Sequence, residues 1–410
     1  MQVPTTGRRG RPVAVLLVLA ALVAAILAPE RALAGPSLVF DLESGEVKSA
    51  ENALQPWYPA SVTKIMTAYV TFRALRAGRL TLTSPVVISK NAAAQAPSKM
   101  GFKPGTVLTV DNALKMMIVK SANDIAVALG ETVAGSEAGF VAEMNEVARS
   151  IGMTQTVWAN PNGLPNDAAH TTARDLGVLT RAALTEYPEY AGLFSISAIR
   201  HGKRVLRSHN LLLDRYPGAI GMKTGFICAS GFNLVAASKR GGRTLVAVVL
   251  GARSGLERAA IAKSLLDDGF SQRSLFGGGS VRTTINTLGA DQAAAGPYDM
   301  RETVCGKNRV RPSIEDLVED EATPTMASAY SSNDVLRALQ KTKEKAPAAK
   351  TKNGKEQKVD GVTVVLGPPL RSPTPVQVFV GGADGVSGTT VDVAATADAD
   401  VPLPRPRPNR

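Results

Sequence analysis

Pro59-Ala60-Ser61-Val62-Thr63-Lys64-Ile65-Met66-Thr67 is the stretch on which the reading of this chain turns. A proline just ahead of an apolar run suits a helix start, so the run from Val62 to Ala68 is expected to be helical, with Ser61 in its first turn. Three residues on, Lys64 shares a face with Ser61 and can reach its hydroxyl. A serine hydroxyl is a poor nucleophile until a base takes its proton. A lysine serves as that base when burial and neighbouring positive charge lower its pKa. In isolation the tetrad more often marks a capping serine and a surface lysine, so its meaning depends on what else the chain carries.

Two further motifs follow in order. Ser121-Ala122-Asn123 breaks two apolar helical runs, where both polar side chains can point into a cleft. Ser121 can relay protons between Lys64 and a leaving amine, and Asn123 can hold Lys64 and a substrate amide. Lys223-Thr224-Gly225 falls on an expected strand, Met222–Ile227. Its Lys and Thr suit a carboxylate, and its Gly lets a substrate backbone approach. The Lys223 charge would also help to keep Lys64 neutral. Each motif is weak alone, and their order and structural context carry the weight.

Working outward, Ser37–Asp41 and Glu46–Ser49 read as strands joined by a tight turn at Glu43-Ser44-Gly45. Leu80 to Ile88 is expected to hold a short strand. Asp111 is expected to cap the apolar run Ala113–Val119. Helices are expected over Asp124–Ala134, Ser136–Ile151 and Thr172–Leu184, with a turn at Pro161-Asn162-Gly163. Phe232–Ser238 and Thr244–Leu250 flank Arg240-Gly241-Gly242 as a hairpin, and Ser254-x-x-Glu257 opens a last helix as a capping box. Strands, a helical middle and strands again predict an α/β (α+β) domain, an antiparallel sheet joined to a helical lobe. Its bounds are read as 35–272, with an extension over 273–312 carrying Cys305. Beyond that, 313–410 reads as a low-complexity, largely disordered tail, Lys-rich over 341–358 and ending Pro-Leu-Pro-Arg-Pro-Arg-Pro.

The 410 residues are 44% hydrophobic and 20% charged, enough for a packed core, and the net charge of +12 favours anionic surroundings. With 5% aromatic residues and no zinc-finger or RNA-binding motif, nucleic acid is not an expected partner. Arg8, Arg9 and Arg11, the apolar run Val13–Ala28 and Ala32-Leu33-Ala34 read as an export signal over 1–34, which predicts the periplasm or cell envelope. In such a compartment the two cysteines, Cys228 and Cys305, are expected to pair. Three histidines without a Gly-x-Ser-x-Gly elbow do not make a Ser-His-Asp hydrolase. His170 and His201 are read as surface or turn residues. No metal-ligand spacing stands out, and no cofactor is expected. The basic tail suits peripheral contact with a membrane or wall polymer, or a solvated spacer.

The chain resembles the low-molecular-mass penicillin-binding proteins that act as D-alanyl-D-alanine carboxypeptidases. The resemblance runs from about Ser37 to Phe270 and rests on the Pro59–Thr67 stretch, Lys120-Ser121-Ala122-Asn123-Asp124, Gly221-Met222-Lys223-Thr224-Gly225-Phe226 and Gly231-Phe232-Asn233-Leu234-Val235. It implies a penicillin-binding-protein/β-lactamase-like domain. It also implies peptidoglycan stem peptides as substrates and β-lactams as inhibitors. Ser61 would be the nucleophile and Lys64 the general base, with Ser121 and Asn123 assisting. Lys223, Thr224 and Gly225 would bind the terminal carboxylate, and the N–H groups of Ser61 and Phe226 would form the oxyanion hole. Arg258 is the counterpart of a carboxylate-binding arginine, and a second such arginine falls at or beside His209. A D,D-endopeptidase would use the same residues. A serine β-lactamase with a deacylating Glu-x-x-x-Asn is disfavoured because no such motif lies between Ser121 and Lys223. A non-catalytic wall-binding protein would have no need of the intact set.

Overall fold

Near-continuous apolar runs such as Thr244-Leu245-Val246-Ala247-Val248-Val249-Leu250 form strands that are covered on both faces, and they build the centre of this protein. The structure is a computed structural model. It describes residues 35–272, 283–289, 296–307, 357–359, 362–364, 366 and 369–382. The stretch read as an export signal, nearly all of the Lys-rich run and the Pro-Arg terminus lie outside the described residues.

The first hairpin is β1 (Ser37–Asp41) and β2 (Val47–Glu51), with Gly45 at φ 73° in its turn. A 3-10 turn, Ala60–Thr63, leads into α1 (Lys64–Arg76). The helical lobe continues with β3 (Pro85–Val87), α2 (Lys90–Ala94), β4 (Val107–Thr109), α3 (Val110–Val119), α4 (Asn123–Ala134), α5 (Glu137–Ser150) and α6 (Ala173–Glu186). A small hairpin, β5 (Ala198–His201) and β6 (Arg204–Arg207), and a single turn, α7 (Leu212–Arg215), precede β7 (Ala219–Ile227), β8 (Gly231–Arg240) and β9 (Arg243–Ala252). Then come α8 (Gly255–Ser271), the short α9 (Arg301–Val304), and three small strands, β10 (Gln357–Val359), β11 (Val362–Val364) and β12 (Val376–Gln377).

The main sheet is antiparallel throughout, in the order β2-β1-β9-β8-β7. Period-two alternation divides its side chains between two cores. Leu38, Phe40, Val235, Ala237, Val246 and Val248 face the helical lobe. Val39, Leu234, Ala236, Leu245, Ala247 and Val249 meet Ala259, Ala262 and Leu266 of α8. Each large aliphatic side chain so buried contributes on the order of 1.5–3 kcal/mol. Helix α1 is buried on almost every side, as a helix at the centre of a lobe must be. The topology leaves β7 at the sheet edge, and Gly225 on that strand lies against the 3-10 turn that carries Ser61.

Ser254 caps α8 as expected, its Oγ accepting from the Glu257 N–H at 3.0 Å, but the reciprocal bond of the capping box is shifted by one residue: the Glu257 carboxylate accepts from the Arg253 N–H at 2.6 Å. Asp111, by contrast, is not the cap of α3. Thr109 is extended and its hydroxyl accepts from the Asn112 N–H, whereas Asp111 lies inside the first turn and pairs with Lys115 at 2.7 Å. Both residues can cap, and the strand pairing of β4 fixes which one turns the corner.

Past α8 the chain packs more than its composition suggests. Cys228 and Cys305 are joined in a disulfide across 77 residues. Met300 N–H donates to Ala229 O, and Tyr298 stacks on Trp57 at 5.9 Å. The segment 369–382, inside the stretch read as low-complexity, lies along the domain. There β12 pairs in parallel with β5, Val378 is 1% exposed, and the Gly381 N–H donates to Val107 O. β6 leaves the second edge of β5 available, and an extended segment with apolar residues at alternate positions fills it.

Candidate active site

The three motifs meet where the start of α1, the α3–α4 junction and the edge strand β7 come together. Ser61 sits in the 3-10 turn ahead of the α-helix, and α1 begins at Lys64 itself. Lys64 Nζ lies 2.9 Å from Ser61 Oγ, 2.7 Å from Asn123 Oδ1 and 2.6 Å from Asn162 O. The Asn123 amide is oriented by its own donation to Ala96 O at 2.8 Å. Lys64 is fully buried. Burial, and then the Lys223 charge, hold its pKa well below the usual lysine range, with Asp124 opposing weakly.

Ser121 is almost fully buried and takes a left-handed backbone, φ 61°, and Ala60, beside Ser61, does the same at φ 48°. Such conformations are rare outside glycine, and their neighbours must enforce them. Around Ser121 the anchoring comes from residues 96–101: the Asn123 N–H donates to Ser98 O, and Ser98 Oγ donates to Lys120 O. The Asp124 carboxylate accepts from the N–H groups of Met100 and Gly101.

On β7, Lys223 and Thr224 are buried, and Lys223 Nζ donates to Thr224 O at 3.0 Å. Burial and then Arg258 lower the Lys223 pKa to about 7. Arg258, on α8, is buried; its guanidinium lies over the Phe232 ring and donates to His209 O at 2.9 Å. His209 therefore stands beside this cluster. Burial and the charges of Lys223, Arg258 and Lys120 push its pKa down to about 3, so its imidazole is neutral. His170 and His201 lie elsewhere, His170 on an isolated bridge to Val157 and His201 at the end of β5. Phe226 continues β7 and packs on Phe232, its partner on β8, at 4.3 Å.

Two contributors went unread in the sequence. Asn162 was visible only as a turn residue, because it acts through its backbone carbonyl, which no residue type announces. Asn233 is a fully buried polar residue in an apolar strand. Its Nδ2 donates to Tyr58 O and Pro59 O, and its Oδ1 accepts from the Gly251 N–H. It thereby fastens the approach to Ser61 onto β8 and β9. An asparagine inside an otherwise apolar run like Phe232–Ala237 was the signal that could have found it.

A helical lobe packed on a five-stranded antiparallel sheet, with these motifs at the seam, defines the penicillin-binding-protein fold. The chain belongs to the D-alanyl-D-alanine carboxypeptidase family, peptidase S11, whose profile matches residues 24–254. It is 37% identical over 246 residues to D-alanyl-D-alanine carboxypeptidase DacC of Escherichia coli K12, covering 57% of this chain and 60% of that protein. Among solved structures it is similar to penicillin binding protein 5 from Haemophilus influenzae, with a TM-score of 0.57 and 32% identity over 60% of this chain and 73% of that one. Penicillin-Binding Protein D2 from Listeria monocytogenes, solved in an ampicillin-bound form, is similar with a TM-score of 0.52 and 29% identity, over 59% of this chain and 99% of that one. The chain spans about 60% of the length of the first curated relatives it matches.

Proposed function

We propose that this protein is a serine-type D-alanyl-D-alanine carboxypeptidase of the cell envelope, which removes the terminal D-alanine from peptidoglycan stem peptides and is acylated by β-lactams. One observation carries the reading. A neutral lysine amine has two N–H donors and one lone pair. Asn123 Oδ1 and Asn162 O accept the two donors, and the lone pair is left for the Ser61 hydroxyl. The surroundings that lower the Lys64 pKa favour this neutral form.

In this mechanism Lys64 takes the Ser61 proton as Oγ attacks the carbonyl carbon of the penultimate D-alanine. The N–H groups of Ser61 and Phe226 hold the resulting oxyanion. The close approach of Gly225 to the Ser61 turn supports that pairing. Lys223 and Thr224, with Arg258 behind them, bind the terminal carboxylate. Ser121 passes a proton to the departing nitrogen, the C–N bond breaks and D-alanine leaves. Water then attacks the ester and gives up its proton through the same base, and Ser61 and the shortened peptide separate. As the edge of the sheet among the described residues, β7 can receive the substrate backbone as an added strand.

The test is release of D-alanine from a pentapeptide ending in D-Ala-D-Ala, together with labelling by a fluorescent penicillin. Wild type should do both, with label retained for minutes or longer, and Ser61→Ala should do neither. Labelling that survives Ser61→Ala would sink the acyl-enzyme reading. Loss of label within seconds would favour a β-lactamase, and cleavage of crosslinked dimers without D-alanine release would favour an endopeptidase.

A further inference from the structure

The two N–H groups assigned to the oxyanion stand on different elements, Ser61 in the 3-10 turn before α1 and Phe226 near the end of the edge strand β7. An edge strand is held by a ladder along one side only. The spacing between the two donors therefore depends on what ties the chain ahead of Ser61 to the turn that closes β7. One side chain makes that tie directly. Trp57 is 3% exposed and donates its indole Nε1–H to Ser230 O at 2.8 Å, across 173 positions of sequence. Ser230 lies in the β7–β8 turn, and its hydroxyl accepts from the Ile227 N–H at 3.1 Å and donates to Gly231 O at 2.7 Å. The Trp57 indole thus joins the approach to Ser61 to the residue that follows Phe226.

A segment that the proposed mechanism does not use covers this link. Residues 298–305 stack the Tyr298 ring on the Trp57 indole, donate the Met300 N–H to Ala229 O at 2.9 Å, and end at Cys305, bonded to Cys228 just past Phe226. Met300 is buried, and its Sδ lies against two glycines. A methyl group built on Gly231 would sit 2.8 Å from that sulfur, and one built on Gly251 would sit 3.0 Å from it and collide with the Trp57 ring as well. Two residues without side chains therefore open the space in which the thioether and the indole lie together against β8 and β9. A staple for stability alone would need no such convergence, because a covalent bond constrains the unfolded chain wherever its ends lie. Here the contacts fall on the approach to Ser61 and on the turn that follows Phe226, the two places from which the donors hang.

Resting on the proposed oxyanion hole, we infer that Trp57 and residues 298–305 form a disulfide-tethered brace that positions the Ser61 and Phe226 N–H groups, with Trp57 as the positioning residue that spans them. The brace acts where negative charge develops, so it serves the transition state and not the bound substrate. Lys223 and Thr224 lie earlier on β7, where pairing with Val235 and Leu234 of β8 holds them independently of the turn. Loosening the brace therefore slows acylation and leaves substrate affinity in place.

The experiment compares Trp57→Phe, Tyr298→Ala, Tyr298→Phe and the pair Cys228→Ser with Cys305→Ser, all in the full chain. Trp57→Phe keeps a ring beneath Tyr298 and loses the Nε1–H. D-alanine release gives kcat, fluorescent penicillin gives the acylation rate, and binding of a peptide ending in D-Ala-D-Ala to each variant combined with Ser61→Ala gives affinity free of turnover. Trp57→Phe, Tyr298→Ala and the cysteine pair should each lower kcat and acylation about tenfold, the effect of displacing a donor by about half an ångström, with the peptide Kd within about twofold of the Ser61→Ala parent. Tyr298→Phe keeps the stacked ring and should keep the wild-type rates. In the 15N-labelled full chain, reducing the disulfide with dithiothreitol should move the Ser61 and Phe226 amide signals and leave those of α5 in place, a readout that needs no turnover. Wild-type acylation in Trp57→Phe and in the cysteine pair, whatever their Tm, would overturn the brace and leave the segment a stability staple. Amide signals of Ser61 and Phe226 that stay in place on reduction would overturn it too, as would a loss of peptide affinity that matches the loss of rate. If those signals move while wild type releases no D-alanine, the carboxypeptidase reading fails and the brace stands.

Discussion

Gly225→Ala tests the geometry on which the site depends. A methyl group built on Gly225 would sit 2.9 Å from Ser61 N, 3.0 Å from Val62 N and 3.1 Å from Pro59 O, all of them backbone atoms with no side-chain freedom to retreat. Ordinary contact at such a position begins at 3.4 Å, so β7 and the Ser61 turn must separate by about 0.5 Å. Gly225 is not at positive φ, so the cost is steric alone. Overpacking of this kind costs about 1–3 kcal/mol, which for a domain of this size lowers Tm by roughly 2–12 °C. The consequence for chemistry is larger. The separation falls between the two N–H groups assigned to the oxyanion hole. A 1 Å misplacement costs about 10²-fold, so half of that costs about tenfold. Complete loss of one donor would raise the loss to about 10²–10³-fold. The assay is the second-order rate of acylation by fluorescent penicillin, alongside a thermal melt. The control is Gly192→Ala, where a methyl group meets nothing within 4 Å, and both readouts should stay at wild-type values. Acylation of Gly225→Ala within threefold of wild type would refute the reasoning. So would slow acylation at an unchanged Tm, since the methyl group would then be displacing substrate and not pushing the strand from the turn.

The pH dependence follows from two buried lysines required in opposite states. Acylation needs Lys64 neutral, so it rises as pH climbs through the lowered Lys64 pKa; carboxylate binding needs Lys223 charged, so kcat/KM falls as pH passes about 7. Lys223→Arg keeps the positive charge beside Lys64 and cannot titrate in this range, so it should remove the falling limb; a limb that persists would assign it elsewhere. The disulfide closes a 77-residue loop, which by chain entropy is worth up to about 4.5 kcal/mol. Cys228→Ser with Cys305→Ser should lower Tm and, by freeing Tyr298 from Trp57, shift tryptophan emission to the red. An unchanged melt and an unchanged spectrum would show that the Met300 and Tyr298 contacts hold the segment without the covalent bond.

What the sequence revealed and what it hid differ in physical kind. The two long strands and α8 were legible because their signals are local: two apolar runs on either side of Arg240-Gly241-Gly242, and Ser254 three residues ahead of Glu257. The spacing of Ser61 and Lys64 was legible for the same reason, although the turn that carries Ser61 proved to be 3-10. The contacts that complete the site were not, because they join residues far apart in the chain through atoms common to every residue. Asn162 O reaches Lys64 across 98 positions, and Tyr58 O and Pro59 O receive the Asn233 amide across 175 and 174. The docking of residues 369–382 was hidden for a related reason. The run Val376–Val380 reads as β-like but isolated among prolines and glycines, and nothing local names the edge of β5 as its partner.

The same long-range contacts explain why the site tolerates backbone that an isolated chain would reject. Ala60 and Ser121 both hold positive φ, at a cost of about 1–3 kcal/mol each. Each is pinned by a loop from another part of the lobe. Gly163 lies so close to Ala60 O that no other residue fits there, and the Asn162 carbonyl beside it accepts from Lys64. The Ala96–Gly101 segment holds the Lys120–Asp124 junction by five hydrogen bonds. In both places the loop that enforces the strained residue also touches the lysine or the asparagine that orients it. Backbone strain and the neutral state of Lys64 therefore depend on one set of contacts. A substitution that loosens either loop should relax the strain and release the base together.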